Sequence, residues 1–207
     1  MIDISQYVKL PQSFYTRPNV VEISRDLIGK YLFTQIEGEL TGGKILETEA
    51  YDGRKDKACH AFLKRTKRTE VMYENGGIAY IYLCYGIHHL FNIVTNKNGL
   101  ADAILIRAIE PLVGEDLMRS RRNNARNIAS GPGVLSQSLS LHKELTGIDL
   151  TGDQVWIAQN KNDQLPQIET DVRIGIDYAG EDALLPWRFL WKDHPLVSVP
   201  KKKAPNR

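Results

Sequence analysis

Cysteine is scarce in this sequence, and so are the side-chain groupings that hold a metal ion. Cys59 and Cys84 are the only cysteines among the 207 residues, and their spacing fits neither a disulfide framework nor a zinc site. His60 follows Cys59, but no second Cys/His pair completes a tetrahedral site. The sequence therefore predicts no disulfide framework and no structural metal.

Long apolar runs and nucleotide-binding motifs are also missing. No stretch approaches the roughly 20 apolar residues of a membrane span, and the segment MIDISQYVKL lacks the basic region and apolar run of a signal peptide. Neither a GxGxxG after a strand nor a P-loop is present. We expect a soluble protein with no membrane partner, located in the cytoplasm, or in the nucleus if the cell has one.

Net charge gives little information, because the formal value is only +2. Local charge is more informative. The segment KRTKR (residues 64–68) has four cations in five residues, and RSRRNNAR (residues 119–126) has four arginines and no acid. Either segment alone is equally consistent with a solvated surface. Together they indicate a polyanionic partner.

The chain length and the hydrophobic fraction of 42% indicate one globular domain spanning residues 1–207. Apolar periodicity and turn residues predict helices in PNVVEISRDLIGK, in GEDLMRSRRNNA and from Pro132 onward. Strands are predicted in KYLFTQIE, KILETEAYD (after a turn at GELTGG), ADAILIRAIEP, DQVWIAQN and VRIGID. Residues 78–96 should form two strands joined at Tyr85-Gly86, PWRFLW should be an aromatic anchor, and KKKAPNR a frayed tail. The fold class is mixed α and β (α+β).

The segment LETEAYDG (residues 46–53) carries Glu47, Glu49 and Tyr51 at alternate positions. In an extended strand these three side chains share one face, which is either solvated or lines a site. Tyr80 and Tyr82 also alternate, and for Tyr80 we predict an ordinary aromatic cross-strand pair. Tyr85 lies beside a glycine at a hairpin tip, where an exposed ring fits a wedge inserted between bases.

Six motifs occur in a fixed order: ETEAY, DKACH, YIYLCYGIH, FNIV, LIRAIEP and SGPGVLSQSL. The ordered set resembles the alkyladenine DNA glycosylase family, also called 3-methyladenine or 3-methylpurine DNA glycosylases. The resemblance runs from SRDLIGK to SGPG and more weakly to DVRIGID. It implies a monomeric hydrolase of DNA base-excision repair that acts on double-stranded DNA containing damaged purines. It also implies one domain with a curved antiparallel sheet, flanking helices, a protruding β-hairpin and no cofactor.

The resemblance also implies roles for individual residues. Glu49 matches the residue that activates the attacking water, and Arg107 matches an arginine near that water and the flipped nucleotide's phosphate. The matched positions that surround the flipped base are Tyr51 and His60 on one side, Tyr82 on the other face, and Asn92, which excludes unmodified guanine. The resemblance matches Tyr85 to the wedge, and besides Tyr85 and Arg107 we expect Ile87, at a position where the family often has Met, and Arg68 of the basic segment to contact DNA.

This chain departs from the family pattern at four positions, namely Thr69, Ile87, Val134 and Ser136, where family members often have Asn, Met, Lys and Cys. The departures leave the predicted reaction unchanged but place DNA contacts and substrate range in question. The residues themselves fit the chemistry, because flat rings favour a cationic alkylated purine and a carboxylate can deprotonate water. Lys44 is the only lysine near the motif face, which favours a monofunctional hydrolase over Schiff-base chemistry.

Two other hypotheses remain open at this stage. One is a module that binds damaged or structured nucleic acid through the same tyrosine wedge and arginines but has lost catalysis. The other is a carbohydrate glycosidase that uses Glu47 and Glu49 as acid and base, although both would approach from the same side. We expect Glu47 to be a salt-bridge or hydrogen-bond partner within the strand, because buried carboxylates are seldom unpaired.

Overall fold

The computed structural model describes residues 4–62 and 64–198. Within these ranges the strands are β1 (Tyr7–Lys9), β2 (Tyr31–Ile36), β3 (Glu39–Tyr51), β4 (Ala79–Cys84), β5 (His88–Thr95), β6 (Asp102–Val113), β7 (Val155–Asn160), β8 (Ile168–Asp171) and β9 (Arg188–Trp191). The α-helices are α1 (Gln12–Tyr15), α2 (Val20–Asp26), α3 (Glu115–Arg121) and α4 (Pro132–Ser138), and four 3₁₀ turns cover Ile4–Gln6, Glu70–Tyr73, Lys143–Leu145 and Asp177–Leu184. The predicted tail KKKAPNR lies outside the described residues.

All strand pairs belong to one antiparallel sheet in the order β1-β7-β2-β3-β6-β5-β4, and β9 joins β3 to β8. The long strand β3 is central, since β2 and β9 pair along one edge and β6 along the other. Two compensating one-residue register shifts between β3 and β6 leave Leu46 and Arg107 without partners in register. Such bulges bend a strand and reorient side chains. The mixed class with a curved antiparallel sheet is confirmed.

The helices cover one face of the sheet. Asn19 caps α2 by accepting hydrogen bonds from the amides of Val21 (3.1 Å) and Glu22 (3.3 Å), as expected for an N-cap residue. Ile23 of α2 and Leu135 of α4 are fully buried in the main core, where packing stabilises both short helices. None of the helices in the described ranges has the length and hydropathy needed to cross a membrane.

The hairpin of β4 and β5 forms the free end of the sheet, and its tip is at Tyr85-Gly86 as predicted. Tyr85 and Gly86 both have positive φ (50° and 73°), and the Ile87 amide donates to the Cys84 carbonyl at 3.2 Å. This tight turn leaves Tyr85 91% exposed and Ile87 71% exposed. Apolar side chains this exposed at the tip of a tight turn are available to a partner.

Three predicted elements differ in the structure. The turn after β2 is at Glu37-Gly38 (φ 55° and 81°), so β3 begins inside the predicted turn GELTGG. The first predicted helix is shorter and ends at Asp26. The predicted strand VRIGID is wrong, because the strand there is β8, which ends at Asp171. Residues 172–177 leave the sheet because the Arg173 side chain and the Ile174 amide form hydrogen bonds with residues of the site described below. PWRFLW does anchor the core through buried Phe189.

Candidate active site

A cavity of about 390 Å³ opens on one face of the β4–β5 hairpin. Residues 58–60, 68 and 72 and the loop residues 174–176 and 178 complete its walls. Seven of the predicted site residues line it: Tyr51, His60, Arg68, Tyr82, Tyr85, Asn92 and Arg107. Ile87 instead lines a second cavity, of about 230 Å³, together with His88, His89 and His142.

Glu49 does not line the large cavity but lies behind residues that do, Tyr51 and Arg107 among them; it is fully buried and is held by two hydrogen-bond donors and an ion pair. The Tyr51 hydroxyl donates to Oε2 at 2.7 Å, and the Ile174 amide donates to Oε1 at 2.9 Å. Nη1 of Arg107 lies 3.3 Å from Oε2. Because Tyr51 and Arg107 line the cavity, the hydrogen bond from Tyr51 and the ion pair with Arg107 connect the Glu49 carboxylate to the cavity wall. Arg107 therefore pairs with Glu49, whereas Asp102, an acid at the start of β6, bonds to Arg54 and Asn96.

Glu47 shares a partner with Glu49, because Arg107 pairs with both carboxylates. Its carboxylate accepts from Nε of Arg107 at 2.9 Å, from Nη1 of Arg188 at 3.1 Å and from the Ser198 amide at 2.6 Å. The expectation that Glu47 is a salt-bridge and hydrogen-bond partner is confirmed. With these bonds formed, Glu47 is fully buried and is poorly placed to act as the acid of a carbohydrate glycosidase.

Three aromatic rings form one wall of the cavity. The His60 ring meets the Tyr82 ring edge-on at 4.6 Å, and Tyr80 and Tyr82 lie 5.6 Å apart on the same strand face. Tyr80 pairs across the sheet with Asn92, so the predicted aromatic cross-strand pair is wrong. Its hydroxyl instead lies 2.9 Å from Nδ1 of His60.

His60 is neutral at physiological pH. Burial against the wall, and then the charge of Arg68, lower its pKa from the ordinary 6.5 to about 4. A neutral imidazole adds no positive charge to a cavity that already has arginines in its lining. The neutral His60 imidazole presents a flat, uncharged aromatic ring to the cavity.

Asn92 is buried and fixed by two hydrogen bonds. Its Nδ2 donates to the main-chain carbonyls of Tyr80 at 3.2 Å and Leu90 at 3.1 Å. Since carbonyl oxygens only accept, these bonds determine which end of the amide is nitrogen. The carbonyl oxygen Oδ1 is therefore the end that remains for a molecule in the cavity.

Arg173 is a site residue that the sequence analysis missed. It is buried, donates to both oxygens of Asp56 and to the carbonyls of Ala50 (2.8 Å) and Asp182 (2.9 Å), and its Cζ lies 4.8 Å from the Tyr51 ring. It braces Tyr51 from outside the cavity, and the next residue holds Glu49. A charged residue within the apolar run VRIGID was the available signal, because a buried arginine needs partners.

The two basic segments are less free than the sequence suggested. Arg68 points into the cavity wall, and Arg65 pairs with Glu70 at 3.1 Å. In the second segment Arg119 pairs with Glu115 at 2.6 Å, and Arg121 pairs with Glu39 at 3.3 Å. The described residues contain no group of three or more His, Cys, Asp or Glu side chains arranged to hold a metal ion.

The fold is α+β. The site combines an aromatic cavity with a buried carboxylate, Glu49, whose partners include two residues of the cavity wall, and this is the arrangement of an enzyme. The sequence profile of the methylpurine-DNA glycosylase family matches residues 13–195. A relative from Chlamydia felis is 49% identical over 186 residues (87% of this chain, 95% of the relative), and one from Methanocella arvoryzae is 46% identical over 200 residues (95% and 98%). A third, from Desulfitobacterium hafniense, is 41% identical over 202 residues (92% and 98%). All three are named as candidate 3-methyladenine DNA glycosylases.

The chain belongs to the methylpurine-DNA glycosylase family. It is a monofunctional DNA glycosylase, a hydrolase of DNA repair. The resemblance drawn from the six sequence motifs is thereby confirmed.

Proposed function

We propose that this enzyme flips alkylated or otherwise damaged purines, 3-methyladenine among them, out of duplex DNA. It then hydrolyses their N-glycosidic bond with water activated by Glu49. The observation that carries the proposal is the buried Glu49 carboxylate, held by Tyr51, Ile174 and Arg107, which all line the aromatic cavity. A base inside a duplex cannot reach such a cavity, so it must leave the stack first.

The proposed reaction has one bond-making and one bond-breaking event. The water oxygen bonds to C1′ of the sugar, the C1′–N bond to the purine breaks, and its electron pair leaves with the base. Glu49 accepts the proton that the water loses, and its charge stabilises the positive charge that develops on the sugar. A cationic purine leaves as a neutral base, so it needs no further proton. The products are the free base and an abasic site.

The other residues have positioning roles in this proposal. Tyr51, His60 and Tyr82 sandwich the flipped base, and fixed Asn92 occupies the space that the exocyclic amine of guanine would need. Tyr85 fills the gap left in the duplex, since it is an exposed ring at the tip of a tight hairpin turn. Ile87 and the basic residues contact the DNA beside it.

We further propose that one chain acts alone as a single domain spanning residues 1–207. The cavity is lined by residues of β3, β4, β5 and β6 together with the connecting segments. The early strand β1 pairs with β7, and β9 pairs with β3, so distant parts of the chain share one sheet. With chromosomal DNA as substrate, the enzyme works at the nucleoid of a bacterial cell or in the nucleus of a eukaryotic one.

The test is the Glu49→Gln variant. The amide keeps the shape of the side chain but cannot accept the proton, so we expect base release from a 3-methyladenine or 7-methylguanine duplex to fall by about 10²–10⁴-fold. Lesion-specific binding should persist. Glu110→Gln, an exposed carboxylate on β6, is the matched control and should release base normally. Near-normal release by Glu49→Gln would refute the general-base role, and a wild-type chain that binds lesions without releasing base would instead be a non-catalytic binding module.

A further inference from the structure

The arginines around the cavity differ in how their charge is balanced. Arg107 pairs with Glu47 and Glu49, and Arg173 pairs with Asp56. Arg68 also lines the cavity, yet within residues 4–62 and 64–198 it has no carboxylate partner. Its contacts are with the aromatic wall alone, so its positive charge remains unshared.

Three contacts fix the Arg68 guanidinium against that wall. Its Cζ lies 5.0 Å from the Tyr82 ring centre, and its Nε donates to the Tyr80 hydroxyl at 3.3 Å. Its Nη2 lies 3.2 and 3.3 Å from the two ring nitrogens of His60. A planar guanidinium stacked on a ring keeps its remaining N–H groups directed along its edge.

We infer that Arg68 sets the charge preference of the base cavity: it disfavours cationic purines and favours neutral purines that offer hydrogen-bond acceptors. The inference rests on the proposed function. An unshared positive charge at the wall opposes a second cation at short range. The same guanidinium can donate to ring nitrogens or to the O6 carbonyl of a neutral base such as hypoxanthine.

The rings themselves support this inference. Arg68 already makes a cation–π contact with the Tyr82 ring. Arg173 makes one with the Tyr51 ring, with its Cζ 4.8 Å from the ring centre. A cationic base therefore gains less from these two rings than it would from free ones. A cationic lesion is still excised faster because it is the better leaving group. The effect of Arg68 is to reduce the difference in excision rate between cationic and neutral lesions.

The experiment compares Arg68→Met with wild type in single-turnover excision from two duplexes, one with 7-methylguanine (cationic) and one with hypoxanthine (neutral). We expect the ratio of the two rates, cationic over neutral, to rise about three- to tenfold, which is what one partly solvated charge can contribute. Arg68→Lys keeps the charge and should leave the ratio near the wild-type value. The Glu49→Gln background gives the same comparison as a ratio of lesion affinities, independent of chemistry.

Arg65→Met is the matched control, because it removes an arginine from the same segment that pairs with Glu70 outside the cavity. Its ratio should equal that of wild type. An unchanged ratio in Arg68→Met would overturn the inference. If the salt dependence of binding also fell by about 0.9 in log–log slope, Arg68 would be a phosphate contact instead. If wild type released neither base, the proposed function would fail as well, whereas release of both bases with an unchanged ratio overturns only the role of Arg68.

Discussion

At the residue scale, the central feature is how a carboxylate can remain buried without a counter-ion from substrate. Glu49 has no exposed surface, yet each of its oxygens has a donor within the protein. A buried charge without such partners would be strongly unfavourable. The donors come from the same strand, from β6 and from the Ile174 amide. The arrangement that we propose for catalysis is thus supplied by folding, before DNA binds.

Arg173 should be essential for stability as well as for the site. Its ion pair with Asp56 has both side chains fully buried, so Arg173→Met leaves an uncompensated carboxylate. We expect the free energy of unfolding to fall by about 3–5 kcal/mol, measured by urea denaturation. Arg65→Met removes an exposed pair and should change it by no more than about 1 kcal/mol. A loss of similar size in both variants would contradict the structural role of Arg173.

The lowered pKa of His60 has a consequence for stability. Between about pH 6.5 and pH 4 the unfolded chain takes up a proton at His60 that the folded chain does not. His60 therefore reduces stability as the pH falls through this window, and the effect levels off below about pH 4. His60→Gln removes this term, so its melting temperature should fall less than that of wild type between pH 7 and pH 4.5. Equal decreases in both proteins would show that His60 titrates normally.

At the element scale, the β4–β5 hairpin separates two environments. Tyr80 and Tyr82 face the cavity, while the intervening Ile81 belongs to the main core with Leu135 of α4 and Leu139, which follows that helix. The core holds the base of the hairpin, so the tip can be exposed while the rest of the hairpin stays packed. This combination suits insertion into a duplex, where flipping costs a few kcal/mol that a wedge offsets.

Tyr85→Ser should therefore weaken lesion-specific binding and slow base release while the melting temperature stays within a few degrees of wild type. The ring is 91% exposed, so its removal leaves no cavity in the core. Leu165→Ser is a control of equal exposure outside the large cavity, and it should affect neither binding nor melting. A large drop in melting temperature for Tyr85→Ser would show that the ring packs as core.

Comparison of elements shows what the sequence can and cannot predict. Alternation in β3 predicted the shared face of Glu47, Glu49 and Tyr51, and a glycine after Tyr85 predicted the hairpin tip, because both signals are local. The Ile174 amide and Arg173 reach the site from more than a hundred residues away, and no local pattern encodes such a contact. VRIGID has strand-like composition, but bonds to Glu49, Ala50 and Asp56 overrode its propensity.

At the scale of the whole molecule, the two basic segments lie on opposite faces of the hairpin. Residues 64–68 reach the cavity face through Arg68. On the other face α4 packs against β5 and α3 packs against α4, and Arg122 of the second segment bonds to Gln137 of α4. A duplex that receives the Tyr85 wedge would thus pass between two groups of cations, although the net charge is only +2.

Binding to undamaged duplex should therefore weaken steeply with salt, with a log–log slope of about −0.9 for each phosphate neutralised. Lys67 is exposed and has no ion-pair partner in the described ranges, so Lys67→Gln should reduce the steepness by about 0.9. The affinity ratio for a non-cleavable lesion analogue over undamaged DNA should hold or rise with salt, because contacts inside the cavity are poorly screened. Salt titrations of both duplexes measure these quantities. A flat response of undamaged DNA would contradict the phosphate contacts, and a ratio that collapses with salt would show that lesion recognition depends on exposed charges rather than on the cavity.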